Sequence, residues 1–363
     1  MPRRTATLLT SILLLIGVLC AGVLIRVPYS ELSPGPTVNT LGEHDGQPVL
    51  SVEGAETYDT SGHLNMTTVR VTGVDYEMNL LEAVYGWLAD DAAVVPYESM
   101  YPENVTADQV EEQNAEEFTA SQESAEVAAL EELGYDPSQT VVGAVLEDTP
   151  AQGRLHAGDA IVAVDGVPIS EPEEVAELVT EHAAGEDVSF TIVPADAAEA
   201  ARKDGEPLPE GPGATEEVVI TTMEAPDDGR ALVGIETQPV YPVEIDIRLA
   251  DVGGPSAGLM FALGLVDTMT EEDLTGGSFI AGTGTIDGEG TVGPIGGVSM
   301  KTIAAREAGA EYFLTPEDNC ATAAENPPDG LTLVEVGTLD DALAALEDIR
   351  QGTTDQLPLC SAR

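Results

Sequence analysis

Basic residues are scarce. Of 363 residues only 13 are Lys or Arg, against 66 Asp or Glu, for a formal charge of −53. Phosphate backbones bind clustered basic surface and none is visible, so a nucleic-acid partner is excluded and anionic lipid headgroups are repelled. Lys203 and Lys301 are the only lysines. Neither follows a glycine as a phosphate loop demands, so no nucleotide is expected. The four histidines, His44, His63, His156 and His182, form no His-x-x-x-His zinc pair, and no metal or other cofactor is implied. What is present describes a folded chain, with 43% hydrophobic residues, 37 Gly and 24 Pro. The acid excess reads as solvated surface. The length allows two or three domains.

The N-terminus is unlike the rest. Arg3 and Arg4 precede an uncharged run from Ala6 to Ile25, closed by Arg26. Twenty residues at 1.5 Å each make ~30 Å, the hydrocarbon thickness of a bilayer. A secretory signal peptide is the rival, but it has a shorter apolar core and a small-x-small cleavage site, which Val23 to Val27 lack. The expectation is a cytoplasmic tail over 1–5 and a transmembrane helix over 6–26. Two arginines before the span and one after, with acid beyond, keep the N-terminus in the cytoplasm and put the bulk outside the cell membrane, single-pass. In that oxidising space Cys320 and Cys360 are disulfide candidates, two free buried thiols being the alternative.

Residues 27–115 read as a scaffold region without chemistry. Leu80, Leu81, Val84, Trp87 and Leu88 recur at helical spacing. Thr106-Ala107-Asp108-Gln109 is a capping box opening a helix toward Leu133.

Residues 120–224 carry a strand at 141–146, a turn at Asp148-Thr149-Pro150-Ala151, Leu155, Gly158-Asp159, the hairpin Val164-Asp165-Gly166 and a helix with Val175, Leu178, Val179 and His182 on one face. In order and spacing this resembles a bacterial PDZ domain. The resemblance implies a protein or peptide partner added as a strand beside the helix, near Val175 and Val179, with a carboxylate loop at Leu133-Gly134-Tyr135. Residues 194–216, rich in Ala, Glu, Gly and Pro, read as a flexible insertion, and 218–222 as the last strand.

Residues 228–350 alternate strands and helices as an α+β unit, followed by a tail over 351–363. Gly254-x-Ser256-x-Gly258 fits the nucleophile-elbow pattern, but no histidine follows Ser256 to complete the expected chain order. A serine nucleophile then needs another base, and Lys301 is the candidate. On a helical wheel it falls among Val298, Ala304, Ala305 and Ala308, inside the apolar arc. Burial there would lower its pKa and leave a neutral amine to take the serine proton. A snorkelling lysine is the alternative. The glycines around Ser256 let an extended substrate approach, and amides at a helix start can face an oxyanion. The candidate loop is Gly253, Gly254, Pro255 and Ala257.

Gly254-Pro255-Ser256-Ala257-Gly258, and Gly-x-Val-x-Pro-Ile-Gly-Gly-Val-x-x-Lys from Gly290 to Lys301, resemble the proteolytic domain of Lon-type serine peptidases. The resemblance implies a Ser-Lys dyad, with Ser256 as nucleophile, Lys301 as general base and Thr283 as the threonine that hydrogen-bonds the lysine. The common form has Asp where this chain has Gly253. The whole layout is similar to a membrane-anchored bacterial family with a PDZ domain and a Lon-type domain lacking the ATPase module, and Leu64-Asn65-Met66-Thr67-Thr68-Val69 fits it too. The expected fold is α+β: a transmembrane helix, a β-rich PDZ domain and an α+β Lon-type proteolytic domain. The expected function is an ATP-independent, membrane-anchored serine endopeptidase cleaving exposed or unfolded envelope proteins, with the PDZ domain selecting or gating substrates. The family implies self-association. The alternative is a PDZ adaptor whose peptidase-like domain is inactive or only self-processing.

Overall fold

A computed structural model describes residues 3–101, 105–204, 206–209, 211, 213–249 and 252–362. Residues 1 and 2 of the expected N-terminal tail and Arg363 of the C-terminal tail lie outside them. Helices run at α1 (Arg3–Leu24), α2 (Leu80–Leu88), α3 (Tyr97–Met100), α4 (Ala107–Glu132), α5 (Pro172–Thr180), α6 (Ala195–Asp204), α7 (Gly258–Met269), α8 (Val298–Ala308), α9 (Glu317–Ala323) and α10 (Leu339–Gln351). The principal strands are β1 (Tyr29–Asn39), β2 (His63–Val71), β3 (Ala93–Pro96), β4 (Gln139–Val145), β5 (Ala160–Val164), β6 (Asp187–Val193), β7 (Glu216–Thr221), β8 (Ile235–Val240), β9 (Phe279–Gly282), β10 (Tyr312–Pro316) and β11 (Thr332–Val336). The chain divides into two compact units, one of residues 1–52, 56–129 and 245–363, the other of 53–55 and 130–244.

The first unit is built on a mixed sheet of order β11-β10-β9-β2-β1-β3. The central strand β2 pairs antiparallel with β1 and parallel with β9, setting Asn65 beside Ala281 and Met66 beside Gly282. Thr67 Oγ1 donates to the Gly282 carbonyl at 3.1 Å. The expected separate scaffold over 27–115 is therefore corrected: its strands are half of the sheet that the C-terminal strands complete. Helix α7 is buried almost throughout, as its unbroken apolar run requires. Helix α4 begins at the predicted capping box, with the Gln109 N–H bonded to Thr106 Oγ1 and the Thr106 N–H to Gln109 Oε1. It then runs unbroken to Glu132.

The C-terminal tail is tied down. Cys320 in α9 and Cys360 form a disulfide. Cys360 N–H also bonds the Leu333 carbonyl, and Glu335 N–H the Pro358 carbonyl, so the tail lies along β11.

The second unit is a sheet of order β7-β6-β5-β4-β8 packed on α5. Its boundaries differ from the expected 120–224. Residue 120 falls inside α4, and β8, beyond 224, closes the sheet by pairing antiparallel with β4, Ile235 opposite Val145 and Val240 opposite Gln139. The register is what claims residues 228–244 for this unit. The insertion expected to be flexible over 194–216 holds helix α6, with Ala198 and Ala201 buried. An alanine-rich stretch has high helix propensity, which its loop-like composition concealed.

Candidate active site

Helix α7 presents Ser256 just ahead of its first turn, and α8 presents Lys301 from its own first turn. Gly297, at φ 71°, caps α8, and a Cβ there would lie 2.9 Å from Val69 Cγ1 on β2. The glycine lets α8 start against the sheet and so aims Lys301 inward. Lys301 is 2% exposed, with Val298, Ala304 and Ala305 buried around it as the wheel requires. Ala308, placed on the same arc, is exposed, and Thr302 takes the buried position instead.

Lys301 Nζ lies 2.6 Å from Ser256 Oγ and 2.9 Å from Thr283 Oγ1. Thr283 is fully buried and donates its hydroxyl proton to the Ser256 carbonyl at 3.0 Å. That donation leaves only lone pairs on Thr283 Oγ1 for the lysine, so the amine must donate to threonine. A neutral amine held this way turns its lone pair to the serine hydroxyl. Burial lowers the Lys301 pKa from 10.5 to about 7, and no acid opposes the shift.

The loop before the serine is held from behind by α4. Gly254 N–H donates to the Asn114 carbonyl at 2.9 Å, and Ser121 Oγ donates to the Pro255 carbonyl at 2.9 Å. Gly254 sits at φ 83°, where a side chain would be strained. Of the predicted oxyanion loop, Gly254 has its amide occupied by Asn114 and Pro255 has none. Beside the nucleophile, the amides of Ser256 and Ala257 are the adjacent candidate donors, with that of Gly253 further back in the loop. Asn319 of α9 brackets Ile295, accepting from its N–H at 2.8 Å and donating to its carbonyl at 3.0 Å, and so fixes the loop that leads into α8. Asn114, Ser121 and Asn319 were not legible in the sequence, because no motif links them to the serine or to the lysine loop.

Ser256, Lys301 and the loops leading to each of them line a cleft of about 800 Å³ that also takes in Leu32, Met66 and Thr68 to Arg70 from the first sheet. Its side chains are mostly apolar, the polar ones being the dyad, Arg70, Thr68 and Thr285.

In the second unit the predicted peptide site is not assembled. Val175 and Val179 are 2% and 5% exposed and pack in the core with Phe190 and Ile161. Their helical spacing marks the buried face of α5, not a groove. Leu133-Gly134-Tyr135 ends α4: Tyr135 N–H bonds the Leu130 carbonyl, Gly134 N–H bonds that of Glu131, and Gly134 is left-handed at φ 74°. His182 bonds Asp165 of the hairpin at 2.7 Å. The sheet has two edge strands, β7 and β8, and of these β8 pairs only with β4 among the described residues and is joined to the start of α5 by Thr237 Oγ1 donating to the Pro172 carbonyl at 3.2 Å.

Known proteins bear on both units. Residues 249–347 match the family model of the Lon protease (S16) C-terminal proteolytic domain, and residues 110–199 that of the PDZ domain. The chain is 39% identical over 111 residues to Lon protease 1 of Sorangium cellulosum, covering 29% of this chain and 13% of that protein. It is 38% identical over 93 residues to Lon protease of Azospirillum brasilense, covering 25% and 11%. The chain thus spans little more than a tenth of the length of these relatives. A crystal structure of the PDZ domain of an SdrC-like protein from Listeria innocua aligns at 25% identity, covering 28% of this chain and 93% of that one, with a TM-score of 0.21. By the two family models, the chain carries a PDZ domain and a proteolytic domain of the Lon (S16) serine peptidase type.

Proposed function

We propose that the protein is an ATP-independent serine endopeptidase, anchored in the cell membrane by α1, that cleaves exposed or unfolded envelope proteins outside the cytoplasm. The observation that carries the reading is the 2.6 Å separation of Ser256 Oγ from Lys301 Nζ, an amine whose pKa burial lowers to about 7. Ser256 Oγ attacks the substrate carbonyl carbon while the Lys301 amine takes the hydroxyl proton. The tetrahedral oxyanion meets the amides of Ser256 and Ala257. The peptide C–N bond breaks as the Lys301 ammonium returns its proton to the leaving amine, leaving an acyl ester on Ser256. Water, deprotonated by the same amine, then hydrolyses the ester. Thr283 is the positioning residue for the lysine.

The membrane reading is supported by Thr7–Leu24, eighteen residues without charge and exposed along nearly the whole helix. The PDZ domain would select substrate by pairing an extended or C-terminal segment with the edge of β8. The test uses the purified full chain and a flexible, unfolded protein substrate with no nucleotide added. Cleavage is expected, together with its loss in Ser256→Ala while peptide binding persists. Cleavage unchanged in Ser256→Ala contradicts the dyad, and no cleavage by the parent chain favours the adaptor.

A further inference from the structure

Helix α2 is inside out. Its small residues, Ala83 and Gly86, are buried against the rest of the first unit, while its large apolar ones other than Leu81 face outward. Tyr85, Trp87 and Leu88 are 76%, 77% and 74% exposed, and Leu80 and Val84 continue the same surface at helical spacing. A single exposed leucine needs no explanation, but five large apolar side chains on one nine-residue helix do. The helix carries one acid, Glu82, and that carboxylate is turned back to cap it, accepting from the Asn79 N–H at 2.8 Å and from the Tyr76 hydroxyl at 2.9 Å. No charge therefore interrupts the outward face.

The position of this helix is fixed relative to α1. Leu81 packs on Gly22, where even a Cβ would come within 2.7 Å of Leu81 Cγ. Leu80 N–H bonds the Ile25 carbonyl and Val27 N–H the Met78 carbonyl, both at 2.9 Å. Arg26 Nη1 donates to the Glu77 carbonyl at 2.8 Å. Gly22 is two residues from the end of α1, so α2 joins it ~3 Å inside that end at 1.5 Å per residue. With α1 spanning the bilayer, its end lies near the headgroup–acyl boundary, where tryptophan and tyrosine concentrate and where apolar helix faces lie in the plane of the bilayer.

We propose that α2 is a second membrane contact, with Leu80, Val84, Tyr85, Trp87 and Leu88 seated in the zwitterionic lipid interface beside the point where α1 emerges. The proposal rests on α1 being a membrane span. It adds that the catalytic unit is held down on the bilayer, not tethered at a distance by a free linker. The strongly acidic chain makes uncharged attraction, not anionic headgroups, the basis of the contact.

Trp87 is the sole tryptophan, so its emission reports this face without labelling. The full chain is reconstituted in phosphatidylcholine vesicles, with and without brominated acyl chains, and floated on a density gradient. Flotation that resists alkaline extraction, with Trp87 emission shifted to the blue, quenched by bromolipid and several-fold less sensitive to iodide than free indole, is the expected result. Val84→Ser with Leu88→Ser should leave flotation intact and restore iodide access. Vesicle-bound protein whose Trp87 stays open to iodide overturns the proposal while leaving the anchor standing. A blue-shifted Trp87 that bromolipid does not quench overturns it in favour of a second copy covering the face. Failure to float removes the anchor, and this contact with it.

Discussion

A Cβ at Gly253 would lie 2.9 Å from the Asn114 Cβ, so the nucleophile loop and α4 meet with no room for a side chain. The common Lon-type pattern has Asp at this place, and the departure has a local cause: α4 occupies the space. Gly253→Asp should therefore push the loop off α4 and weaken the Gly254–Asn114 hydrogen bond. Overpacking of this kind costs about 1–3 kcal/mol, and kcat should fall by roughly tenfold or more. Adding Asn114→Gly should recover part of the loss. Steady-state kinetics of both variants decide it, and an unaffected Gly253→Asp contradicts the packing account.

Thr283 orients the amine by forcing it to donate to Oγ1. Thr283→Val keeps the shape and removes both hydrogen bonds. A loss of about 1–2 kcal/mol in the transition state, roughly tenfold in kcat with little change in KM, is expected. Thr283→Ser should restore most of it. A Val variant with unchanged kcat would make the threonine a packing residue only.

Lysine burial is a stability cost with a defined pH window. Unfolded, the lysine holds its proton up to about 10.5; folded, it releases it near 7. The unfolded state binds more protons between these values, so the cost is complete below about pH 7 and fades as pH rises toward 10.5. At about 1.4 kcal/mol per pKa unit the full cost is on the order of 4–5 kcal/mol. Lys301→Met should be inactive yet more stable by about 2–4 kcal/mol at pH 6, with the gain shrinking by pH 10. Denaturant titrations at the two pH values measure this, and a Met variant less stable than its parent at pH 6 contradicts it.

The Cys320–Cys360 disulfide closes a separation of 40 residues. In the chain-entropy model a loop of that size contributes about 4 kcal/mol. Cys360→Ser should lower the Tm, and reductant should lower the Tm of the parent but not of that variant. Equal melting of all three would remove the crosslink from the stability account.

The chemistry was legible in the sequence because it is local. A glycine-flanked serine, a helix that puts its one lysine among alanines, and a missing downstream histidine each lie within a short window. The fold was less so. That β2 lies between β1 and β9 follows from parallel pairing across more than two hundred residues, and neither strand's sequence names its partner. The PDZ boundary failed for a related reason: β8 is the strand that completes the sheet, yet it follows the strand at 218–222 that was expected to be the last. Val175 and Val179 failed because helical periodicity reports which face is buried, and a groove lies beside that face. Asn114, Ser121 and Asn319 act through a carbonyl, a hydroxyl and an amide whose targets only packing reveals.

The most direct test follows the Lys301 amine itself. The chain has two lysines, so side-chain NMR of lysine labelled at Cε gives two signals, and Lys203→Arg assigns them. The Lys301 signal should titrate with a midpoint of about 7, and it should move upward in pH if the site is opened to water. A Lys301 signal that stays charged to the ordinary lysine range near 10.5 would contradict the neutral-amine mechanism outright.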